Sequence, residues 1–184
     1  MIHNQDRSGW IGASDTYMVM GNWNTKTFAQ WWRVKLGISQ NNFTTVAMMA
    51  GTHYEHRILE AIGVKKMDRQ IRIRKLRLRV NLDGETRDTV KEIKTYHSEK
   101  FKVSKQYWQQ AQVEMFATGK ALHIVAYRLT DDEYRNFFLP IEVDRLSIYP
   151  VHYNAEWVNE EYLPRLRHLA KCLKKGEWPN EVPG

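Results

Sequence analysis

The stretch "NLDGETRDTVKEIK" places Asp83 on one short segment and the triplet Glu92–Ile93–Lys94 on the next. If residues 76–83 and 89–95 are neighbouring antiparallel strands, Asp83 ends the first of them beside the turn. Glu92 and Lys94 then project together from one face of the second, because residues two apart on a strand share a face, and Ile93 turns into the core. Two carboxylates converging at one edge repel each other unless a cation lies between them. Oxygen ligands from Asp83 and Glu92, with the carbonyl of Ile93, suit Mg2+ or Mn2+ and leave positions for water and a phosphate. Lys94 beside that ion would hold or deprotonate an attacking water and stabilise charge developing at phosphorus. Each group has a task only if the substrate is a phosphodiester. A bare acid-x-lysine pair is also common on solvated strand faces, where ion pairs contribute little. The surrounding elements therefore carry the weight of the reading.

"QIRIRKLRLRV" alternates Ile71 and Ile73 with Arg72 and Arg74, then resumes after Lys75 with Leu76, Leu78 and Val80 in the opposite phase. Alternation predicts strand, and the phase slip predicts a bulge or tight turn at Lys75. "DGET" at 83–86 is a turn signal, so residues 69–95 are expected to form a hairpin or meander. Upstream, "GWIGASDTYMVMG" reads as a loop entering a short helix capped by Ser14 or Asp15. "TKTFAQWWRVKLG" spaces Phe28, Trp31, Trp32 and Leu36 for a helix, the Trp pair belonging to the core. "NNFTTVAMMAGTHYEHRILEAIG" predicts a longer helix, weakened by Gly51 inside it unless another backbone packs closely there. Downstream, "VSKQYWQQAQVEMFATG" is helical. "ALHIVAYRL" and "NFFLPIEV" read as strands, and "NAEWVNEEYLPRLRHLAKCLKKG" as a closing helix kinked or broken at Pro164. This order predicts a mixed α/β or α+β fold in one domain, residues 1–184.

The bulk composition fits. Hydrophobic residues make up 42% of the 184, with seven Trp and nine Tyr, as in a packed globule. A single cysteine, Cys172, excludes an intramolecular disulfide and any multi-cysteine metal site, and makes a reducing compartment the expectation. No apolar run approaches the roughly 20 residues that span a bilayer, and "MIHNQDRSGW" lacks the apolar core of a signal peptide. A soluble, intracellular protein is expected. The formal net charge of +7 favours a polyanionic partner. The ladder Arg72, Arg74, Lys75, Arg77 and Arg79 would meet phosphates with only some of its members, because the slip splits them between faces. His53, His56 and His97 lack a zinc-like arrangement and stand outside the metal set.

Four motifs in order across residues 7–119 resemble the phage lambda exonuclease and YqaJ-like viral recombinase family, a branch of the PD-(D/E)xK nucleases. "RSGWIGAS" resembles its opening segment, and "GTHYEHRI" its Gly-x-x-x-Glu helix. "DGETRDTVKEIK" resembles the Asp-Gly and Glu-x-Lys core, with Leu82 where the wider superfamily often has proline. "YWQQAQVEMFATG" resembles the helix that follows, while residues 120–184 resemble the family only loosely.

The resemblance implies a restriction-endonuclease-like core, a central mixed β-sheet flanked by helices. It implies a Mg2+- or Mn2+-dependent DNA exonuclease, with two ions, acting 5′→3′ on double-stranded ends in phage or prophage recombination. Asp83, Glu92 and Glu55 would be metal-site acids and Lys94 the catalytic lysine. Gln110, better aligned from Tyr107 than the structural Gln112, would be the active-site glutamine. Arg7 and Ser14 would contact a terminal 5′-phosphate, which suits an arginine fork and a hydroxyl at a helix N-terminus. A single-strand annealing protein, a ring-shaped homotrimer and the bacterial cytoplasm follow from the same resemblance. An endonucleolytic or single-strand nuclease, or a non-catalytic DNA-binding relative, are the alternatives.

Overall fold

The alternating stretch around Lys75 folds as two strands. The computed structural model describes residues 7–40 and 44–179. In it β2 (Lys66–Ile73) and β3 (Leu78–Glu85) pair antiparallel from Lys66↔Glu85 to Ile73↔Leu78. A single 3-10 turn, Arg74–Leu76, joins them, closed by Arg77 in the left-handed region at φ 49°. The phase slip is thus a tight turn. β4 (Thr89–Tyr96) runs antiparallel to β3, and β5 (Ala121–Arg128) pairs parallel with β4 from Thr89↔Ala121 to Tyr96↔Arg128. β6 (Leu146–Val151) closes the far edge antiparallel to β5, and the two-residue β1 (Ile11–Gly12) runs parallel to the start of β3. The result is a six-stranded mixed sheet flanked by helices.

One detail of this sheet creates the site. β2 covers one edge of β3 along its whole length, so β1 and β4 must share the other. β1 pairs only with Leu78 and Arg79, and β4 pairs only with Gly84 and Glu85. Between them this edge of β3, at residues 80–83, has no strand partner among the described residues, and a fork opens there.

The "DGET" turn needs correcting. Asp83 and Gly84 lie inside β3, and the reversal falls at residues 86–88, where Thr86 N donates to Thr89 O at 2.8 Å. Gly84 is there for packing: a Cβ on it would stand 2.5 Å from Leu59 Cδ2 and 3.0 Å from Val64 Cγ1. The glycine lets a helix approach the strand and does not turn the chain.

The helices start on hydroxyl caps. α2 (Lys26–Lys35) begins on Thr25, whose side chain accepts from Phe28 N, and α3 (Val46–Ala61) begins on Thr45, which accepts from Met48 N. α4 (Lys105–Thr118) begins on Ser104, which accepts from Tyr107 N. Each such cap is worth about 1 kcal/mol. The expected earlier start of the α3 helix, at 41–43, lies outside the described residues. The short α1 (Thr16–Val19) follows a 3-10 turn, Ala13–Asp15, and neither Ser14 nor Asp15 caps it through a side chain.

Alternation along the strands divides the core in two. Val90, Leu122 and Ile124, with Leu78, Val80 and Leu82, pack against Phe28 and Trp32 of α2, Ala111 and Met115 of α4, and Leu166 and Leu169 of α6 (Leu163–Lys175). Ile93, Val125 and Tyr127 pack against Ala50, Tyr54, Ile58 and Leu59 of α3. Trp32 is fully buried and its Nε1 donates to Glu177 O, so the tryptophan pair is core, as expected. Burying one such aromatic is worth about 3 kcal/mol at most.

Two further expectations change. "NFFLPIEV" is not a strand: it follows α5 (Asp131–Arg135) as irregular chain, its backbone carbonyls at Phe137 and Leu139 satisfied by Arg57. The last strand is β6, whose Pro150 is tolerated because β6 is an edge. At the closing helix, a π-helical segment, Trp157–Tyr162, runs without a break into α6, with Pro164 in its first turn. Widening the helix there accommodates the missing proline donor. No helix among the described residues is long and apolar enough to cross a membrane.

Candidate active site

The fork between β1 and β4 gathers the chemistry. Asp83 points into it and Oδ2 accepts from Ile93 N at 2.8 Å, a side chain taking the bond that a strand partner would have taken. Glu92 and Lys94 face α4 together while Ile93 is buried on the α3 side, as the period-two argument required. Lys94 Nζ donates to Glu92 Oε1 at 2.6 Å and to Gln110 Oε1 at 3.3 Å, and lies 4.9 Å from the centre of the Tyr107 ring. Gln110 Nε2 donates to Glu92 Oε1 at 2.7 Å and to Glu114 Oε1 at 2.8 Å. Gln112, by contrast, ties α4 to the chain after β6 through His152 O and Asn154 N, a structural task. Tyr107 both stacks on Phe101 and lies over Lys94.

Charge is out of balance here. Asp83, Glu92, Glu55 and Glu114 surround a single ammonium. Burial and the neighbouring Glu92 push Glu55, on α3, up to about 7. Burial, then Glu92 and Glu55, hold Asp83 well above the usual carboxylate range, and burial with Glu92 and Asp83 does the same to Glu114. Burial alone would lower Lys94, but Glu92 and Asp83 outweigh it and keep the amine protonated above its ordinary value. Glu92 Oε2 is buried with no hydrogen-bond partner among the described residues. Surplus carboxylate and an orphaned buried oxygen are the chemistry a divalent cation would complete at Asp83 and Glu92, while the acidic group whose ligand atoms already lie within 4.8 Å of one another is Glu55, His56 and Asp68.

Beside the fork lies a cavity lined by Arg7, Ser14, Lys35, Arg79, Asn81 and Gln110. Gln110 therefore belongs to both. Arg7 and Ser14 come together here from the opening segment, both solvent-exposed. Lys35 is 3% exposed and pairs with Asp15 Oδ2 at 2.5 Å, while Asp15 also accepts from Gly12 N and Trp31 Nε1. Burial lowers the Lys35 amine despite Asp15. Of the arginine ladder, Arg79 alone is buried and lines the cavity; Arg72, Arg74 and Lys75 stay exposed, and Arg72 and Arg77 lie over the Trp10 ring.

Lys35 and Glu114 were not singled out from the sequence. Lys35 reaches the cavity only through tertiary packing, whereas Arg79 belongs to the basic ladder expected to meet phosphates in part. Glu114 was within reach, one helical turn after Gln110 on the same face. His56, set apart from any metal set, has Nε2 2.9 Å from Asp68 Oδ2, next to Glu55, with Asp68 held at φ 57°.

No family model matches the chain, and no curated protein matches it in sequence. Solved structures do. An alkaline exonuclease from Laribacter hongkongensis aligns over 92% of this chain and 90% of its own, with a TM-score of 0.66 and 19% identity. A phage-related exonuclease from Haemophilus somnus 129PT aligns over 90% of this chain and 95% of its own, with a TM-score of 0.59 and 12% identity. At these identities the likeness shows the fold alone, the α/β arrangement these two exonucleases share.

Proposed function

We infer that this chain is a divalent-metal-dependent DNA exonuclease, acting 5′→3′ on double-stranded ends in phage or prophage recombination. The observation that carries the reading is the fork itself: Asp83, Glu92 and Lys94 converge where β3 lacks a strand partner, with Gln110 linking them to a cationic cavity. The fold shared with two exonucleases supports it.

Asp83, Glu92, Glu55 and the Ile93 carbonyl would hold Mg2+ or Mn2+, two ions being the number the family resemblance implies. When bound, such an ion acidifies water and neutralises charge on the scissile phosphate. Lys94, hydrogen-bonded to Glu92 and Gln110, would hold or deprotonate the attacking water, or place positive charge beside the developing phosphorane. Gln110 holds Lys94 and Glu92 in register. Arg7 and Ser14, aided by Lys35 and Arg79, receive a terminal 5′-phosphate, so that the chain end is located next to the reacting bond. The exposed Arg72, Arg74 and Lys75 add sequence-independent phosphate contacts. A homotrimer and an annealing partner belong to this reading through the family resemblance.

End-labelled linear duplex and covalently closed circular DNA, each with Mg2+ or Mn2+, test it. Release of 5′ mononucleotides from the linear duplex, with circles left intact, is the expected result. Efficient cutting of closed circles would replace the exonuclease with an endonuclease on the same core, and failure to cut any DNA would leave a binding module.

A further inference from the structure

Glu114 is 0% exposed, and the mechanism above leaves it unused. A buried carboxylate is costly unless charges and hydrogen bonds compensate it. Here Oε1 accepts one bond from Gln110 at 2.8 Å, and Oε2 has no hydrogen-bond partner among the described residues. As packing alone, an apolar side chain of similar volume would serve α4 better.

The bond it does make falls on the residue that organises the fork. Gln110 has two amide hydrogens and one carbonyl oxygen to place. One hydrogen goes to Glu92 Oε1 at 2.7 Å, the other to Glu114 Oε1, and the carbonyl receives Lys94 at 3.3 Å. Half a turn of the amide would set its oxygen against two carboxylates and its NH2 against an ammonium. With both hydrogens taken, the amide has one orientation. Without Glu114, one donor is buried and unpaired, the restraint from the α4 side is gone, and the 3.3 Å contact to Lys94 is the longest of the three.

We propose that Glu114 is a positioning residue: by taking the second amide hydrogen of Gln110 it fixes Lys94 and Glu92 Oε1 in register and leaves Glu92 Oε2 free to face the cation. The role in turnover rests on the nuclease reading; the restraint on Gln110 does not.

Glu114→Met removes the acceptor and keeps the volume, while Glu114→Gln keeps an acceptor oxygen. Cleavage of linear duplex by Glu114→Met should fall about 10–100-fold in kcat, with KM for DNA within about twofold of wild type. Its unfolding temperature should hold or rise, because a costly buried carboxyl group with an unpartnered oxygen is gone. Glu114→Gln should recover most of the rate. The double variant Gln110→Ala/Glu114→Met should be no slower than Gln110→Ala, because Glu114 acts through that residue. The Gln110 side-chain NH2 signals in a 15N NMR spectrum should be protected from exchange in wild type and Glu114→Gln, and unprotected in Glu114→Met. Wild-type kcat in Glu114→Met, multiplicative loss in the double variant, or unchanged Gln110 signals would each overturn the proposal. If wild-type protein cuts no DNA, the nuclease reading fails by itself, and the Gln110 signals still decide the role of Glu114. Glu114→Ala takes the place of the methionine variant if methionine is not accommodated.

Discussion

The ribbon of β3 and β4 carries two buried acidic centres, Glu85 at its paired end and Asp83 with Glu92 where it splits. Glu85 is 2% exposed and meets three cations: Lys66 at 2.5 Å, Lys120 at 2.6 Å and Arg69 at 3.0 Å. Those bonds overcome its burial and pull it down to about 2. A few residues away, four carboxylates share Lys94, and Glu55 is pushed up to about 7. Over-compensated acid holds the ribbon's end together; under-compensated acid is what the proposed cation would complete. On that reading the same residue type is structural in one place and chemical in the other because of the charges around it, not because of burial.

The comparison can be broken most sharply at its lysines. Lys94→Ala should lower the cleavage rate by about 10³-fold or more, the loss of a charge aimed at the transition state, with DNA affinity in a filter-binding or anisotropy assay changed only a few-fold. Lys120→Ala should leave the rate near wild type and lower only the unfolding temperature. Wild-type cleavage in Lys94→Ala would mean that the two ends are alike after all.

Next comes the cation. Mg2+ or Mn2+ at about 100 times its dissociation constant should raise stability by about 2.7 kcal/mol in a thermal-shift assay, and EDTA should remove both this gain and all cleavage. The gain depends on pH in a definite direction. Glu55 is raised in the folded state, so the metal-free protein favours its protonated form and loses stability as pH climbs from the ordinary carboxylate range through about 7. Metal stabilisation should therefore be larger at pH 8 than at pH 5, and Glu55→Gln should flatten that difference.

Glu85 has the opposite sign. Its depressed value contributes stability that is present above the unfolded carboxylate range and is lost as pH falls toward about 2. Glu85→Gln should cost about 2 kcal/mol at neutral pH, less than the full shift implies because Lys66 and Arg69 remain solvent-accessible, and should leave metal binding unchanged by calorimetry. The smallest effect is expected at the cavity. Arg7→Ala should slow degradation of 5′-phosphorylated ends about tenfold, the lower range for a charge-assisted bond, and leave 5′-hydroxyl ends unaffected. Equal loss on both ends would remove the phosphate pocket.

Much of this was legible in the chain where a local rule and a tertiary demand agree. Period-two spacing put Glu92 and Lys94 on one face and Ile93 on the other because β4 is buried on both sides by different helices. Trp31 and Trp32 read as core because their spacing is helical and their area large. The reading failed where one residue type serves two purposes. Gly84 suggested a turn, whereas it makes room for Leu59. The apolar run at 136–143 suggested a strand, yet Phe137 and Ile141 cover the α3-side core from an irregular segment. Lys35 was invisible as a cavity cation because nothing local distinguishes it from other basic residues, and which member of the basic ladder would turn inward, Arg79, could not be read locally; only the approach of α2 and β3 to the opening segment brings the two together.

The brevity of β1 has a consequence of its own. Its ladder stops at Gly12↔Arg79, and the Gly12 amide is claimed by Asp15 at 2.7 Å. Two more paired residues would carry the seam to Asn81, narrowing the gap toward Asp83, and the backbone would enter the space that the proposed nucleotide needs. In the proposed nuclease, access to the fork would therefore depend on where strand pairing is halted, and the Asp15 carboxylate that takes the Gly12 amide stands at that point.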